Sequence, residues 1–210
     1  MAAFNEDLDE EELLKKANSI ENLVSTFSLT DTYSINKGET KKALHLSHFT
    51  AKMLNPNQKL KIFAILESNM KKLYLDNGWS WNDVNKNNEI FHNPSHYLIL
   101  HDEENVEDIV AYILFRFEWD DEEEPEYPVL YVYEVQLVEE WRSCGAGRFL
   151  VDLALKISRE TFMKRIMLTC LKANQRAMSF YQKLGFTVDS NSPSKYGFKE
   201  VYEILSIATA

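Results

Sequence analysis

The 210-residue sequence predicts a mixed α/β domain, and two features of its hydrophobic pattern carry that prediction. Strand-like segments at 96–101, 109–119 and 129–137 follow one another with polar turns between them, as in an antiparallel meander. A glycine-containing turn, a helix at about 146–162 and a strand at 165–170 come next, an order typical of one βαβ crossover. We therefore expect a mostly antiparallel sheet that contains one parallel pair.

The N-terminal part of the chain predicts two helices and a strand. Apolar positions over residues 7–24 have the spacing of an amphipathic helix, and residues 41–50 alternate as a strand does. Asn55-Pro56-Asn57 breaks the pattern, and a long helix then runs to about Asp76. We expect residues 1–30 to form a helical segment packed on a domain of residues 31–210.

The C-terminal part predicts shorter elements around the crossover. The segment 129–137 is rich in β-branched and aromatic residues, which favour a strand. A helix is expected at 175–184, with short strands at 186–189 and 201–205.

Bulk composition excludes several classes of protein. The sequence holds no apolar run near the roughly 18 residues of a membrane span, and its acidic start lacks the pattern of a signal peptide. The two cysteines, Cys144 and Cys170, form no CxxC pair, so neither a disulfide framework nor a zinc site is expected. A reducing compartment is the expected environment.

The net charge of −10 is concentrated in two segments. Residues 1–12 hold six acids and residues 118–126 hold seven, with no base in either, so that the rest of the chain is close to neutral. This pattern disfavours nucleic-acid binding, which needs a basic surface, and permits a basic peptide partner. The alternative that both segments are simply solvated stays open.

The segment Arg142–Gly147 is the most informative about chemistry. Gly145 and Gly147 lie between a strand and a helix, where glycine allows strained backbone angles and close approach of a ligand. The N–H groups of a helix start favour an anion, and a diphosphate fits that description. The turn lacks the Gly-Lys-Ser/Thr of a Walker loop and the third glycine of a dinucleotide fingerprint. Taken alone, it is equally compatible with an ordinary βα turn.

Two further motifs give the turn its context. Asn174 precedes a predicted helix that ends in Tyr181-Gln-Lys-Leu-Gly185-Phe186. Together with the Arg-x-x-Gly-x-Gly turn, these residues resemble the GNAT superfamily of N-acetyltransferases over about residues 129–189. The resemblance implies the GNAT fold, a mixed and mostly antiparallel sheet flanked by helices, with acetyl-CoA as cofactor. It also implies a bulge in the strand at 129–137, which would free one N–H to polarise the thioester carbonyl.

The resemblance implies a set of cofactor-binding residues. They lie on the strand before the turn, in the turn itself and at the start of the later helix: Val135, Gln136, Leu137, Ser143, Cys144, Gly145, Ala146, Gly147, Arg148 and Asn174.

A narrower resemblance extends over most of the chain. The segments Tyr131–Leu137, Met167–Thr169, Ser192–Ser194 and Tyr202–Leu205, together with residues 69–81, look like the NatD enzymes, which also carry an added N-terminal helix. Those enzymes acetylate the N-terminal amine of histones of the H-four and H-two-A types, whose tails begin Ser-Gly-Arg-Gly. The resemblance implies a basic histone peptide as partner, a monomer without nucleic-acid or membrane partners, and a cytoplasmic and nuclear location. The implied peptide-contacting residues are Tyr74, Trp79, Glu118, Tyr133, Thr169, Asn191 and Tyr202.

Two departures from the NatD pattern affect this assignment. Members often carry Asp at the position of Glu118. The loop 189–193 differs from theirs in detail and length, which bears on the match of Asn191.

Glu134 is the candidate general base, since a carboxylate in an apolar strand is costly without a purpose. An α-amine has a pKa of about 7.7–8.0 and needs only modest help, such as one carboxylate acting through a water. The alternative is that Glu134 faces solvent. Tyr181 could protonate the leaving thiolate or could be a core aromatic residue, and Tyr133 is a candidate hydrogen-bond donor. Glu118 could pair with an arginine at the third peptide position.

Other candidates are weaker. The five histidines show no metal-ligand spacing with the cysteines, no metal is expected, and a Cys144–His acyltransferase is a minor alternative. Two further functions stay open: acetylation of lysine or a small amine, and histone binding without catalysis.

Overall fold

The computed structural model describes residue 4 and residues 8–37, 40–121 and 123–209. Its helices are α1 (Glu10–Asn18), α2 (Leu23–Thr26), α3 (Pro56–Asp76), α4 (Asp83–Ile90), α5 (Ala146–Glu160) and α6 (Gln175–Lys183). Its strands are β1 (Thr32–Lys37), β2 (Thr40–Thr50), β3 (His96–Asp102), β4 (Ile109–Trp119), β5 (Pro128–Leu137), β6 (Arg165–Leu171), β7 (Thr187–Val188) and β8 (Tyr202–Ala208).

The strands pair in the order β1-β2-β3-β4-β5-β6-β8-β7. The pairs β1–β2, β2–β3, β3–β4, β6–β8 and β7–β8 are antiparallel, whereas β5 and β6 run parallel over Val129–Val132. Helix α5 connects the parallel strands, as a crossover must. The predicted mixed α/β class, with a mostly antiparallel sheet and one βαβ unit, is therefore confirmed.

The chain forms two compact units, and β4, β5 and α5 run from one into the other. The first, which we call the α6 unit, comprises the described residues up to Ser19, Phe117–Tyr133 and the described residues from Ala154 onwards. The second, the α3 unit, comprises Ile20–Arg116 and Glu134–Leu153.

The α3 unit is built around a long helix with a well-defined start. Asn55 and Gln58 form a capping box, in which each side chain accepts a hydrogen bond from the other residue's backbone N–H at 2.9 Å. Pro56 follows at the first helical position, where its missing N–H costs nothing. The helix buries Ile62, Ile65 and Leu66 in the core of this unit.

The α6 unit is built on β6, which pairs with β8 over seven residues. Helix α1 belongs to this unit and buries Leu13, Leu14 and Ala17. At its end, the Asn18 amide donates to the carbonyls of Leu14 at 3.0 Å and Phe117 at 2.9 Å, which ties the helix to the end of β4.

The expectation of a single helix over residues 7–24 is wrong. The described part forms α1 and α2, because Ser19 ends the first helix and the Asn22 side chain caps the start of the second by accepting from Ser25 N; residue 7 lies outside the described residues. Strand β1 and helix α4 were not predicted, while the other main elements were. The division at residue 30 stays a prediction. None of the helices in the described ranges has the length and hydropathy of a membrane span.

Candidate active site

Glu134 lies on the buried face of β5. Side chains alternate along this strand, so that Val132, Glu134 and Gln136 are buried while Tyr131 and Tyr133 are partly exposed. Glu134 is only 6% exposed. The alternative that this carboxylate faces solvent is therefore wrong.

Three side chains connect Glu134 to the start of the glycine turn in the α3 unit. The Gln136 amide donates to Glu134 Oε2 at 2.7 Å, and the Asn69 amide donates to Gln136 Oε1 at 2.8 Å and to the Leu137 carbonyl at 3.0 Å. Arg142 donates in turn to Asn69 Oδ1. This amide relay, Arg142–Asn69–Gln136–Glu134, fixes the carboxylate in one orientation. The predicted cofactor residue Gln136 thus uses its side chain to hold Glu134.

Burial raises the pKa of Glu134 to about 7. The negative charge of Glu89 acts in the same direction, while the positive charge of Lys86 and the hydrogen bond from Gln136 act against it. A carboxyl group with this pKa exchanges protons at neutral pH, as a general base must.

Tyr74, Trp79 and Trp81 form an aromatic cluster in the α3 unit, which also contains Glu134. The Tyr74 ring meets Trp79 and Trp81 edge-on, with centroid distances of 4.9 and 5.5 Å. Burial raises the pKa of Tyr74, and the charges of Glu134 and Glu89 raise it further, so this phenol stays protonated. Two of the predicted peptide-contacting residues, Tyr74 and Trp79, therefore belong to the same unit as the predicted base.

The glycine turn has the strained shape that the sequence predicts. Ser143 and Gly145 both adopt left-handed backbone angles, with φ of 64° and 86°. The Tyr33 hydroxyl donates to the Cys144 carbonyl at 3.1 Å, and a Cβ on Gly145 would lie only 2.6 Å from that hydroxyl. Position 145 therefore requires glycine both for its backbone angle and for its space. The Tyr33 ring stacks on Phe149 at 4.4 Å, a contact not predicted because β1 itself was missed.

The residues of this turn fit a diphosphate group. Helix α5 starts at Ala146, and the first N–H groups of a helix have no partner inside it. Ser143, Gly145 and Arg148 are exposed and Cys144 and Gly147 are partly exposed, whereas Ala146 is buried. Val135 and Leu137, at the end of β5, are partly exposed as well.

Two backbone hydrogen bonds lie near the ends of β5. Asp120 N donates to the Tyr127 carbonyl at 3.1 Å, and Val138 N donates to the Val110 carbonyl at 2.9 Å. Eleven residue steps separate Tyr127 from Val138, but only ten separate Asp120 from Val110. These counts differ by one residue, but the alternation of side chains from Leu130 to Leu137 is unbroken, so a bulge within β5 stays a prediction.

A second cluster of predicted residues lies in the α6 unit. The Tyr133 hydroxyl donates to both carboxylate oxygens of Glu118 at 3.1 Å, and the hydroxyls of Tyr131 and Thr169 share a hydrogen bond of 2.6 Å. Burial raises the pKa of Tyr131 to about 12, with Thr169 acting against it and the charges of Glu118 and Tyr202 adding to it. The structure thus brings together Glu118, Tyr133, Thr169 and Tyr202.

Tyr181 and Asn174 also lie in the α6 unit, on helix α6. Tyr181 is 8% exposed and packs edge-on against Phe180 and Phe186, as a core aromatic residue would. The Asn174 side chain accepts from Ala177 N at 3.1 Å and caps the helix. Their roles towards acetyl-CoA stay predictions.

Two acids of the 118–126 segment organise its backbone. The Asp120 carboxylate accepts from the N–H groups of Glu126 and Tyr127 at 2.9 and 3.1 Å, and Asp121 accepts from those of Glu123 and Glu124 at 2.8 and 2.9 Å. The predicted peptide contact Asn191 donates to the other Asp120 oxygen at 3.4 Å. Asp120 and Asp121 are therefore not merely solvated charges.

His48, His96 and Cys170 have structural rather than catalytic surroundings. His48 and His96 share a buried hydrogen bond of 3.0 Å, and burial lowers their pKa values to about 4 and about 3. Burial raises the pKa of Cys170 to about 12. Within the ranges that the structure describes, no three His, Cys, Asp or Glu side chains form a group that could hold a metal ion.

Comparisons with known proteins agree with the turn and the fold. Residues 63–186 match the model of the acetyltransferase (GNAT) family. NAA60 of Arabidopsis thaliana, solved with a bisubstrate analogue, is 12% identical with a TM-score of 0.57, over 78% of this chain and 97% of that chain. The PaiA N-acetyltransferase of Thermoplasma acidophilum, solved with coenzyme A, is 13% identical with a TM-score of 0.54, over 78% and 98%. An acetyltransferase of Streptococcus agalactiae gives a TM-score of 0.58 at 14% identity, over 79% and 98%. The family model covers more than half of the sequence, and the chain therefore belongs to the acetyltransferase (GNAT) family, whose members use acetyl-CoA.

Proposed function

We propose that the protein is an N-α-acetyltransferase that acetylates the N-terminal amine of histone tails beginning Ser-Gly-Arg-Gly. The observation that carries this proposal is Glu134, a buried carboxyl group whose pKa of about 7 lies close to that of an α-amine, about 7.7–8.0. A lysine amine, with a pKa of about 10.4, needs a much stronger base. Glu134 therefore suits an N-terminal substrate better than a lysine side chain.

In the proposed reaction, Glu134 takes one proton from the incoming ammonium through a water molecule, and the neutral amine attacks the acetyl carbon. The C–S bond then breaks, coenzyme A leaves as the thiolate, and the second proton lost by the amine nitrogen balances the proton that the thiolate takes up. Acetyl-CoA supplies the acetyl group as an activated thioester, bound through its diphosphate at Ser143–Arg148. The amide relay holds the carboxylate in the orientation in which it accepts the proton. The bulge expected in β5 would provide the N–H that polarises the thioester carbonyl. Tyr181 stays the candidate donor of a proton to the leaving thiolate.

Acidic side chains of the α6 unit support a basic tail as the substrate. Glu123, Glu124 and Glu126 are exposed and would attract a positively charged peptide. The Tyr133 hydroxyl holds the Glu118 carboxylate by both oxygens, and we infer that this oriented carboxylate pairs with the guanidinium of an arginine at the third peptide position. On this proposal, the protein acts as a monomer on histones in the cytoplasm and nucleus.

The test is acetylation of a peptide that begins Ser-Gly-Arg-Gly and contains an internal lysine, with the product mapped by mass spectrometry. We expect acetyl transfer to the α-amine alone, and none once the α-amine is blocked. Equal rates on the free and blocked peptides would favour a lysine acetyltransferase instead. Peptide binding without any transfer from acetyl-CoA would favour a non-catalytic histone-binding module.

The arginine contact has a separate test. Peptide titration should show weaker binding for the Glu118→Ala variant and for a peptide with alanine at its third position. The variant tested with the alanine peptide should lose little more affinity than either change alone causes, because both changes remove the same contact. Full additivity of the two losses would reject a direct contact between Glu118 and the arginine.

A further inference from the structure

Tyr33 lies on the edge strand β1 and packs against the start of helix α5. Its ring stacks on Phe149 with a centroid distance of 4.4 Å and an interplanar angle of 23°. Side chains alternate along β1, so that Tyr33 shares a face with the fully buried Ile35, while Thr32 and Ser34 on the other face are exposed. Strand β1 therefore holds this ring against the first turn of α5.

The Tyr33 hydroxyl fixes the peptide unit between Cys144 and Gly145. It donates to the Cys144 carbonyl at 3.1 Å, and the residues on either side, Ser143 and Gly145, both have left-handed backbone angles. A trans peptide unit is planar, so its C=O and its N–H point in opposite directions. A carbonyl that faces Tyr33 therefore turns the Gly145 N–H away from that ring.

The ring of Tyr33 holds the other end of the same short segment. The Gly145 carbonyl accepts from Phe149 N at 3.0 Å, so the residue on which Tyr33 stacks also makes the first helical hydrogen bond of α5. Tyr33 thus contacts this segment twice, with its hydroxyl at Cys144 and with its ring at Phe149. The N–H groups between these two contacts are those that a helix start offers to an anion.

The Tyr33 phenol is suited to be a permanent donor. Burial raises its pKa, and Cys144 acts in the same direction, so the hydroxyl keeps its proton at neutral pH. The fit is also close, because a Cβ at position 145 would lie 2.6 Å from this hydroxyl. Tyr33 and Gly145 therefore form one matched arrangement of side chain and turn.

We propose that Tyr33 is a positioning residue of the acetyl-CoA site: its hydroxyl turns the Cys144 carbonyl away from the diphosphate and thereby presents the Gly145 N–H to it. A carbonyl facing the diphosphate would repel its negative oxygens, whereas an N–H donates to them. The inference rests on the proposed binding of the diphosphate at Ser143–Arg148 and extends it to a residue 111 positions before Cys144.

The test is Tyr33→Phe in the full-length protein, which removes the hydroxyl and keeps the stacked ring. Isothermal titration should show the Kd of coenzyme A rising about tenfold, the loss expected for one hydrogen bond. The KM for acetyl-CoA should rise by a similar factor, while kcat at saturation stays within about twofold. With S-acetylpantetheine, which carries the acetyl thioester but no diphosphate, the KM should be the same in both proteins.

A matched control separates this effect from damage to the fold. Tyr112→Phe removes another hydroxyl of the α3 unit that donates to a backbone carbonyl, that of Ile62 at 3.2 Å, and it should keep the Kd of coenzyme A within about twofold. A loss in Tyr33→Phe that is equal for coenzyme A and pantetheine, or no loss for either, would overturn the proposal. If the original protein binds pantetheine as tightly as coenzyme A, the diphosphate site fails and the proposal with it.

Amide NMR tests the geometry without any substitution. The sequence contains six glycines, so glycine-labelled protein gives few signals. The Gly145 N–H signal should move downfield when coenzyme A is added and stay in place with pantetheine. A Gly145 signal that coenzyme A does not move would overturn the proposal even if Tyr33→Phe fails to fold. Neither this shift nor the Kd depends on the peptide, so an absence of acetyl transfer to Ser-Gly-Arg-Gly would refute the proposed activity and still leave the role of Tyr33 decided.

Discussion

Two buried carboxyl groups, one in each unit, have pKa values that are shifted in opposite directions. Asp189 in the α6 unit has a side chain that is 0% exposed, and Glu134 in the α3 unit is 6% exposed. Burial favours the neutral form of Asp189, but hydrogen bonds from Ser206, from Asn191 N at 2.8 Å and from Arg165 at 2.8 Å outweigh it and lower its pKa. Glu134 accepts from the neutral amide of Gln136, and the structure describes no cation bonded directly to it. The difference shows that bonded donors, rather than burial, decide which carboxylate is structural and which can move a proton.

The largest effect expected from this comparison is on turnover. Glu134→Gln keeps the shape of the relay but removes the base, so kcat should fall by about 10²–10⁴-fold. Isothermal titration should show acetyl-CoA affinity within about twofold of the original, because the turn at Ser143–Arg148 is untouched. The matched control is Glu139→Gln, an exposed acid just beyond β5, which should keep full turnover. A Glu134→Gln variant with full turnover would show that Glu134 is not the general base.

The next largest effect is on the way the free energy of unfolding depends on pH. Because the pKa of Glu134 is raised from 4.5 to about 7, the folded state binds its proton more tightly than the unfolded chain does. The resulting stabilisation is present below pH 4.5 and is lost as the pH rises through 7. Urea unfolding should therefore show Glu134→Gln gaining up to about 3 kcal/mol on the original protein between pH 4 and pH 8.

Asp189 should show the reverse sign. Its lowered pKa contributes stability above the unfolded value of about 3.9, and this is lost as the pH falls. For Glu134, a difference in unfolding free energy between the original protein and Glu134→Gln that stays constant from pH 4 to pH 8 would contradict the raised pKa.

A smaller loss is expected when the structural carboxylate is changed. Asp189→Asn leaves Arg165 without its partner, and since Arg165 is 33% exposed the cost should be about 1–3 kcal/mol rather than that of a fully buried pair. Urea unfolding at pH 7.5 measures it, while turnover per folded molecule should change little. A variant as inactive as Glu134→Gln, with unchanged stability, would show that Asp189 has a catalytic task.

The smallest effect lies in the loop that follows Asp189. The buried Ser192 donates to Glu203 at 2.6 Å and accepts from Ile204 N at 2.9 Å, so Ser192→Ala should cost about 1–2 kcal/mol of unfolding free energy. Ser194 makes a similar bond of 2.6 Å to Glu203 but is exposed, and Ser194→Ala should cost less. Equal losses in the two variants would show that burial does not distinguish these bonds.

Much of the fold could be predicted because its strands and long helices have strong apolar patterns. Helix α4 was missed since its sequence, Asp83-Val-Asn-Lys-Asn-Asn-Glu-Ile90, is polar and rich in asparagine, and it buries only Ile90 among its residues. Its start depends on the Asn82 side chain, which accepts from Asn85 N at 2.9 Å. A local cap of this kind resembles turn chemistry when read from sequence alone.

The candidate site could be predicted only in part, for a similar reason. Glu134 is conspicuous as a carboxylate in an apolar strand, and the Gly145 turn as a strand-to-helix junction. The relay through Asn69 joins residues 67 and 73 positions apart, and the Tyr33 contact to Cys144 spans 111 positions. No sequence periodicity brings such residues together, because their contacts arise only when the sheet and helices pack.

The most direct test of the account is the pH dependence of turnover on a Ser-Gly-Arg-Gly peptide at saturating acetyl-CoA. We expect an acid limb near pH 7 in the original protein, set by Glu134. In Glu134→Gln most of the rate should be lost, and the remaining limb should follow the pKa of the substrate α-amine, about 7.7–8.0. An unchanged rate in Glu134→Gln, or a limb near the ordinary glutamate value of 4.5 in the original protein, would contradict the assignment of Glu134 as the base.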